Sequence, residues 1–317
     1  MVFVENSVDI RKEKLNNNDI NEFNAQYIKV AECGNITEFI KMSKAPAPFP
    51  ITKISANQFV INETGEIRDY QKHDDKSQNY ESVRKTLARL RRIINANCTD
   101  ETKIKFVTLT YAENMTDTER LYNDFKAFTK RFNRYLQKQG INKPEYIAVC
   151  EPQSRGAWHM HILYIFDYKA PYIDNNNVLA PLWGHGFTSC KAVNQCDNIG
   201  AYFSAYLADM EVSEYESLNG SCDHTDDIKE CEVEDENGQK QNKRFVKGGR
   251  LKYYPTNMNI YRCSRGIVIP ETEVITHKRY NEIKHDAGKQ TFIHGCRIIA
   301  ENQEIQSIIH EYYNKRG

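Results

Sequence analysis

Trp158-His159-Met160-His161-Ile162-Leu163 is the stretch around which the rest of the chain organises. Apolar Trp158, Met160 and Ile162 alternate with the two histidines, the period-two pattern of a strand. Side chains alternate across a strand, so both imidazoles leave one face while Met160 and Ile162 enter a core. The two Cα atoms then stand about 6–7 Å apart, close enough for two ring nitrogens to share one ion. The preceding Tyr146-Ile147-Ala148-Val149-Cys150-Glu151 reads as a second strand, and Pro152-Gln153-Ser154-Arg155-Gly156 as the turn that pairs the two. A tight hairpin brings the Glu151 carboxylate beside both imidazoles. A bare His-x-His is equally the pattern of two idle histidines at a sheet rim. With Glu151 added it becomes a Glu/His/His site with open positions, a donor set suited to Mg²⁺ or Mn²⁺ acting on phosphate, and to Mn²⁺ especially.

Outward from this hairpin, Lys105–Tyr111 is a β-rich run and predicts a third strand. Asp117 or Thr118 caps a helix running to Gln139, with Leu121, Phe125, Phe128 and Phe132 as its buried stripe and Gly140 as its stop. A second helix over Ser82–Asn95 shows Val83, Leu87, Leu90 and Ile94 on one face and Arg84, Lys85, Arg89, Arg91 and Arg92 around the rest. Those five cations read equally well as a solvated face or as phosphate contacts. Residues 1–50 show weak periodicity, end in Ala45-Pro46-Ala47-Pro48-Phe49-Pro50, and are expected to be irregular. Residues 51–72 are expected as short strands around the turn Asn62-Glu63-Thr64-Gly65. A helix is expected from Asn198 to about Met210, a flexible acidic insertion over 211–243, basic strands and turns over 244–270, and a helix over about 300–314.

The 317 residues carry 43 basic and 43 acidic side chains, and a neutral total argues against a nucleic-acid binder. The distribution argues the other way. Acidic residues crowd between Asp209 and Glu236, and basic ones run from Lys240 through Lys247, Arg250, Lys252, Arg262 and Arg265. Interleaved Tyr253, Tyr254 and Tyr261 add faces on which unpaired bases stack. The same stretch also suits a basic strand pair packed on a sheet. Nine unpaired-looking cysteines suit a reduced interior better than a disulfide framework. Cys222, His224 and Cys231 lack the paired spacing of a zinc site. No apolar run reaches membrane-spanning length and no signal-peptide layout opens the chain, so a cytoplasmic location is expected.

Tyr202 and Tyr206 fall at i, i+4 and leave one helix face. Such a pair is commonly packing. Beside a metal site it is also a nucleophile whose phenol, with a pKa of about 10, needs a cation and a base.

Three motifs in order, Phe106–Tyr111, Glu151 with Gly156–Leu163, and Tyr202-Phe203-Ser204-Ala205-Tyr206, resemble those of rolling-circle replication initiators. These are nucleases of the superfamily named HUH for His-hydrophobic-His. The likeness spans about residues 80–270 and is nearest to replication-associated proteins of plasmids, phages and mobile elements in low-GC Gram-positive bacteria. Val246–Pro255 and Asn259–Gly266 also resemble that group. The resemblance implies an α+β fold with a central antiparallel, five-stranded, ferredoxin- or RRM-like sheet and flanking helices. It divides the chain into an arm (1–80), a nuclease core (81–210), the acidic insertion (211–243) and a basic C-terminal region (244–317). It implies that Glu151, His159 and His161 bind Mn²⁺ or Mg²⁺. Tyr202, with Tyr206 as a second, would cut single-stranded or hairpin origin DNA and keep the 5′ phosphate. The implied DNA contacts are Arg84, Arg91, Lys247, Arg250, Lys252, Tyr253, Tyr254, Tyr261, Arg262 and Arg265. Host helicase and polymerase are the implied partners, with a homodimer as the assembly.

One departure stands out. Relatives carry a lysine three residues after the tyrosine or the pair, where this chain has Ala205 and Asp209. Lys247 or Arg250 would have to supply that cation. A relaxase places its tyrosine before the histidines, which disfavours that class. A rolling-circle transposase and a catalytically inactive DNA-binding protein stay open.

Overall fold

The computed structural model describes residues 10–46, 51–55, 57–62, 64–70, 75–153, 155–193, 209–219, 228–234, 240–300 and 302–316. They fall into two compact units, residues 1–72 with 270–317, and residues 73–269. Six strands open the chain: β1 (Ile10–Lys14), β2 (Tyr27–Cys33), β3 (Ile36–Met42), β4 (Ile51–Lys53), β5 (Gln58–Ile61) and β6 (Ile67–Asp69). The middle contributes β7 (Ile104–Thr110), β8 (Glu145–Pro152), β9 (Trp158–Ile165), β10 (Thr188–Ala192), β11 (Met210–Glu211), β12 (Ile228–Glu234), β13 (Lys240–Val246) and β14 (Tyr261–Cys263). The chain closes with β15 (Glu273–Ile275), β16 (Lys289–Ala300) and β17 (Gln303–Asn314). The described strands form four sheets, ordered β1-β16-β17-β3-β2-β15, β10-β7-β9-β8-β14, β11-β13-β12 and β4-β5-β6. The fold is a mixture of helices with antiparallel sheets, as the sequence suggested, with the described strands shared among four sheets.

In the 73–269 unit β9 is the middle strand of five, flanked by β7 and β8. The helix Thr118–Lys138 starts where Asp117 accepts hydrogen bonds from the Glu119 and Arg120 amides, at 2.8 and 3.1 Å. It ends before Gly140, whose φ of 70° a side chain would resist. Leu121, Phe125, Phe128, Phe132 and Leu136 form its buried stripe. Phe132 meets Tyr164 of β9 with ring centroids 4.8 Å apart, and Phe128 meets Trp183 edge-on at 5.9 Å. The helix Tyr80–Asn97 adds Val83, Leu90 and Ile94 to the same core. Its Asn97 side chain donates to the Val268 carbonyl and accepts from the Val268 amide, tying the helix end to the chain beyond β14.

Three expectations need correction. Residues 10–42 are not irregular: β2 and β3 form a hairpin across Gly34-Asn35, with Gly34 at φ 63°. Ile28 and Val30 of β2 and Phe39 of β3 pack with Tyr280 and Ile283 of the helix His277–Asp286. The expected C-terminal helix is instead the strand β17, Gln303–Asn314. Its Ile305, Ile308, Ile309, Tyr312 and Tyr313 repeat at helical spacing, but β17 lies between β16 and β3 and takes its order from both. Buried Glu311 makes that placement specific, accepting from Lys41 Nζ at 2.7 Å and from the Tyr280 hydroxyl at 2.8 Å. The described part of 211–243 holds a helix, Val212–Asn219, then β12 and β13 paired over seven residues each. In their register Glu230 is paired with Arg244, Glu232 with Asn242 and Glu234 with Lys240. The expected helix at 198–210 falls almost wholly outside the described residues.

Phe128 has no solvent exposure and stacks on Phe132 as well as Trp183. Phe128→Ala is expected to destabilise the 73–269 unit by about 3–5 kcal/mol, read from the urea midpoint of its tryptophan fluorescence. A loss under about 1 kcal/mol would show that the ring is not part of a close-packed core.

Candidate functional site

Alternation along β9 sends Trp158, Met160, Ile162 and Tyr164 into the core and the two imidazoles to the opposite face. Pairing fixes their neighbours. Thr108 of β7 lies directly across from His161, and Thr110 across from His159. On the other side Glu151 of β8 lies directly across from His159, with Val149 across from His161. Glu151 reaches diagonally, and its Oε2 is 2.6 Å from His161 Nε2. Thr108 Oγ1 is 3.1 Å from His161 Nδ1. A carboxylate only accepts, so Nε2 donates to Glu151, and the Thr108 hydroxyl is the partner of Nδ1. Phe106, two residues before Thr108 on the same strand face, stacks on the His161 ring at 5.6 Å and 12°. The ring of His161 is therefore fixed at both nitrogens and on one face.

His159 is held differently. Its ring lies 6.1 Å from that of His161, and its buried Nε2 has no hydrogen-bond partner. A buried ring nitrogen without a partner costs on the order of 1–3 kcal/mol. Burial pushes the His159 pKa down to about 4; the positive charges of His161, Arg250 and Arg155 add to this and Glu151 opposes it. Burial raises the Glu151 carboxyl, but the hydrogen bond from His161 and the charges of His161 and Arg250 outweigh it and hold the group below its ordinary value.

Arg250 stands inside this site. It donates through Nη1 to Glu151 Oε1 and, at 3.2 Å, to the Pro152 carbonyl, and its Nη2 is 3.3 Å from Glu214 Oε2. The turn that carries it is held by Asp209, which accepts from the Gly248 amide at 2.7 Å. Glu151 thus spends one oxygen on His161 and the other on Arg250. Among the described residues no three His, Cys, Asp or Glu side chains are gathered as a metal-binding group. The donor set of two imidazoles and a carboxylate, together with the orphaned His159 nitrogen, still fits a divalent cation in chemistry.

The supports of the site come from its backbone surroundings. Tyr254 donates its hydroxyl to the Cys150 carbonyl at 2.7 Å, bracing β8 one residue before Glu151. Trp183 donates to the Thr110 carbonyl at 2.8 Å, and Trp158 to the Thr116 carbonyl at 2.9 Å. Gly186 permits the close approach of this loop to β7, because a Cβ there would sit 2.4 Å from the Ala112 nitrogen.

Of the other residues singled out in the sequence, Tyr202, Tyr206, Cys222 and His224 lie outside the described residues. Tyr254 is corrected from a base-stacking to a core residue, since it is buried and packs edge-on to Trp158 at 5.4 Å. Arg250 is committed to two carboxylates. Lys247, Lys252 and Arg265 are exposed. Lys252 lies over the half-buried Tyr253 ring at 5.2 Å, and Arg262 lies 3.5 Å above Tyr122. Tyr261 is half-buried on edge strand β14, while Arg84 is exposed and Arg91 half-buried on the helix Tyr80–Asn97. The sequence reading missed Thr108, Phe106 and Glu214. For the first two a signal existed: Phe106, Thr108 and Thr110 alternate on the strand expected next to the histidines. Glu214 had none.

Residues 104–211 match the model of a family of replication-associated proteins, the ORF2 family. The match covers a third of the chain, from the first residue of β7 to the last of β11. Within it stand Thr108, Glu151, His159 and His161. It supports a replication-initiator role for this stretch. No curated protein matches the chain. Among the described residues no helix is long and apolar enough to cross a membrane.

A pH dependence follows from His159. The unfolded chain protonates this residue near its ordinary 6.5, whereas the folded chain keeps it neutral down to about 4. Over that window the unfolded state binds more protons, so stability is complete above pH 6.5 and falls as the pH is lowered towards 4. Glu151 acts in the same direction below its ordinary 4.5, since its stabilisation is lost as the pH falls through a depressed value. In EDTA, the melting temperature is expected to fall across this range, and His159→Gln to flatten the upper part of the fall. An unchanged slope in the variant would contradict the assignment.

Proposed function

We propose that this chain nicks and rejoins single-stranded DNA at a replication origin, starting rolling-circle replication of a plasmid, phage or mobile element. The observation that carries the reading is that Thr108, Glu151, His159 and His161 come together on three adjacent strands lying inside the stretch similar to replication-associated proteins. The five-stranded antiparallel sheet around them supports the likeness to HUH nucleases.

Tyr202 is the first-choice nucleophile and Tyr206 the second. The phenol oxygen bonds to the scissile phosphorus, the bond to the 3′ oxygen breaks, and the 5′ phosphate stays on the tyrosine. The phenol loses its proton and the leaving 3′ oxygen gains one, leaving a hydroxyl for a host polymerase. Glu151, His159 and His161 would hold Mn²⁺ or Mg²⁺, which supplies a Lewis acid for the phosphate oxygens. His161 is oriented for this by Thr108 and Phe106. Arg250 balances the Glu151 charge, and its second contact to Glu214 keeps it beside the carboxylate. Lys247, Lys252, Arg262 and Arg265 offer charge to the DNA backbone, and Arg84 and Arg91 do so from the helix Tyr80–Asn97. Unwinding falls to a host helicase, and a cytoplasmic homodimer fits the same reading.

A second reading, an inactive DNA-binding protein, is favoured by one observation: both Glu151 oxygens are already engaged, by His161 and Arg250. Incubation with a single-stranded origin oligonucleotide and Mn²⁺ separates the two. The nuclease reading expects a covalent adduct, mapped by mass spectrometry to Tyr202 or Tyr206. The adduct should be abolished in the Tyr202→Phe/Tyr206→Phe double variant and reduced at least about a hundredfold in His161→Ala. Equal cutting by wild type and double variant would sink the covalent mechanism, and absence of both cutting and metal binding would leave the inactive reading.

A further inference from the structure

The unit formed by residues 1–72 and 270–317 has a sheet face that none of the preceding chemistry uses. β16 and β17 pair with Phe292 opposite Tyr312 and His294 opposite His310. The four side chains form a patch of rings two by two. His294 and His310 stack face to face at 4.9 Å and 4°, His310 and Tyr312 at 6.5 Å and 12°, and Phe292 lies 5.3 Å from His294 and 6.0 Å from Tyr312. The opposite face of the same strands is the core side, carrying Ile309, Glu311 and Tyr313.

Cross-strand aromatic pairs often serve sheet stability alone, and then they bury one another. Phe292 instead remains 58 % exposed. The rings are also held in place. Glu38, directly across from Tyr312 on β3, is buried and accepts from the Tyr312 hydroxyl at 3.0 Å, with His310 Nδ1 3.3 Å away. The carboxylate of Glu38 is thereby turned to orienting rings instead of facing solvent.

Cations flank the patch on both sides. Lys14 of β1 is paired with Cys296, two residues beyond His294 on the same strand face. Lys29 of β2 is paired with Ile40, which is itself paired with His310. Fixed aromatic faces with a lysine on either side, on an antiparallel sheet, combine surfaces that stack unpaired bases with cations that pair with their phosphates. We propose that this face is a second nucleic-acid site, a stacking platform for single-stranded DNA, separate from the His159/His161 centre. It deepens the reading of the chain as a protein of single-stranded origins.

The test uses the full chain and the fluorescence anisotropy of a labelled oligothymidylate, with a duplex of equal length as control. Phe292→Leu, which keeps the apolar volume and removes the ring, is expected to weaken oligothymidylate binding about tenfold. Phe292→Trp should retain it. Lys14→Gln should lower the salt dependence of binding by about one charge. Duplex affinity should stay within about twofold for the two Phe292 variants. Wild-type affinity in Phe292→Leu, or an equal loss on duplex, overturns the platform. So does a shift of Phe292→Leu to a smaller species in sedimentation with DNA affinity unchanged, which would make the face a contact between copies. Nicking is read separately. A chain that never cuts but loses affinity with Phe292→Leu keeps the platform and loses the nuclease reading; the reverse result loses only the platform.

Discussion

The hydrogen bond between Glu151 and His161 depends on register more than on any other feature. It joins β8 to β9 diagonally, and it exists because Glu151 falls opposite His159 and on the same sheet face as both histidines. A slip of one residue in that pairing would reverse the faces, sending both imidazoles into the core and Met160 and Ile162 out. The register is secured from the buried side. Trp158 and Tyr254 pack edge to face, Tyr254 donates to the Cys150 carbonyl, and Phe132 packs on Tyr164. The polar site is thus held by apolar contacts on the reverse of its own strands.

Around that bond the charges are nearly self-contained. Glu151 lies between an imidazole and a guanidinium, and Arg250 lies between two carboxylates. Desolvating a carboxylate is expensive, and removing one partner of such a group leaves the other without compensation. This explains why Arg250, which reads in the sequence as one cation in a basic run, belongs structurally to the acidic and imidazole groups of the site. Of the two imidazoles, His159 is the one whose Nε2 has no hydrogen-bond partner, and burial keeps that ring neutral down to about pH 4.

Much of the 73–269 unit was legible because its signals are local. The stripe from Leu121 to Leu136, the Asp117 cap and the alternation around His159 each depend on residues within a few positions of one another. The C-terminal segment was not legible, because Ile305–Tyr313 satisfies a helical period as well as a strand's. Only the partners on β16 and β3, and Lys41 waiting for Glu311, decide between the two. The early strands were missed for a related reason. Tyr27–Cys33 and Ile36–Met42 are too short and too mixed to declare themselves, and the strands that complete their sheet come mostly from the other end of the chain.

By itself, the sequence determined which side chains share a face of β7, β8 and β9, where the helix Thr118–Lys138 begins and ends, and that a carboxylate and two imidazoles meet at one hairpin. Those follow from the two periodicities of the backbone and from short-range turn chemistry. The tertiary structure alone decided what each of those groups bonds to. It turned Glu151 towards His161 instead of the directly opposite His159, brought Arg250 and Glu214 from distant segments, buried Tyr254, and set four rings side by side on β16 and β17. These are contacts between residues far apart in the chain, fixed by packing and by the cost of leaving buried polar groups unpaired, and no local pattern encodes them.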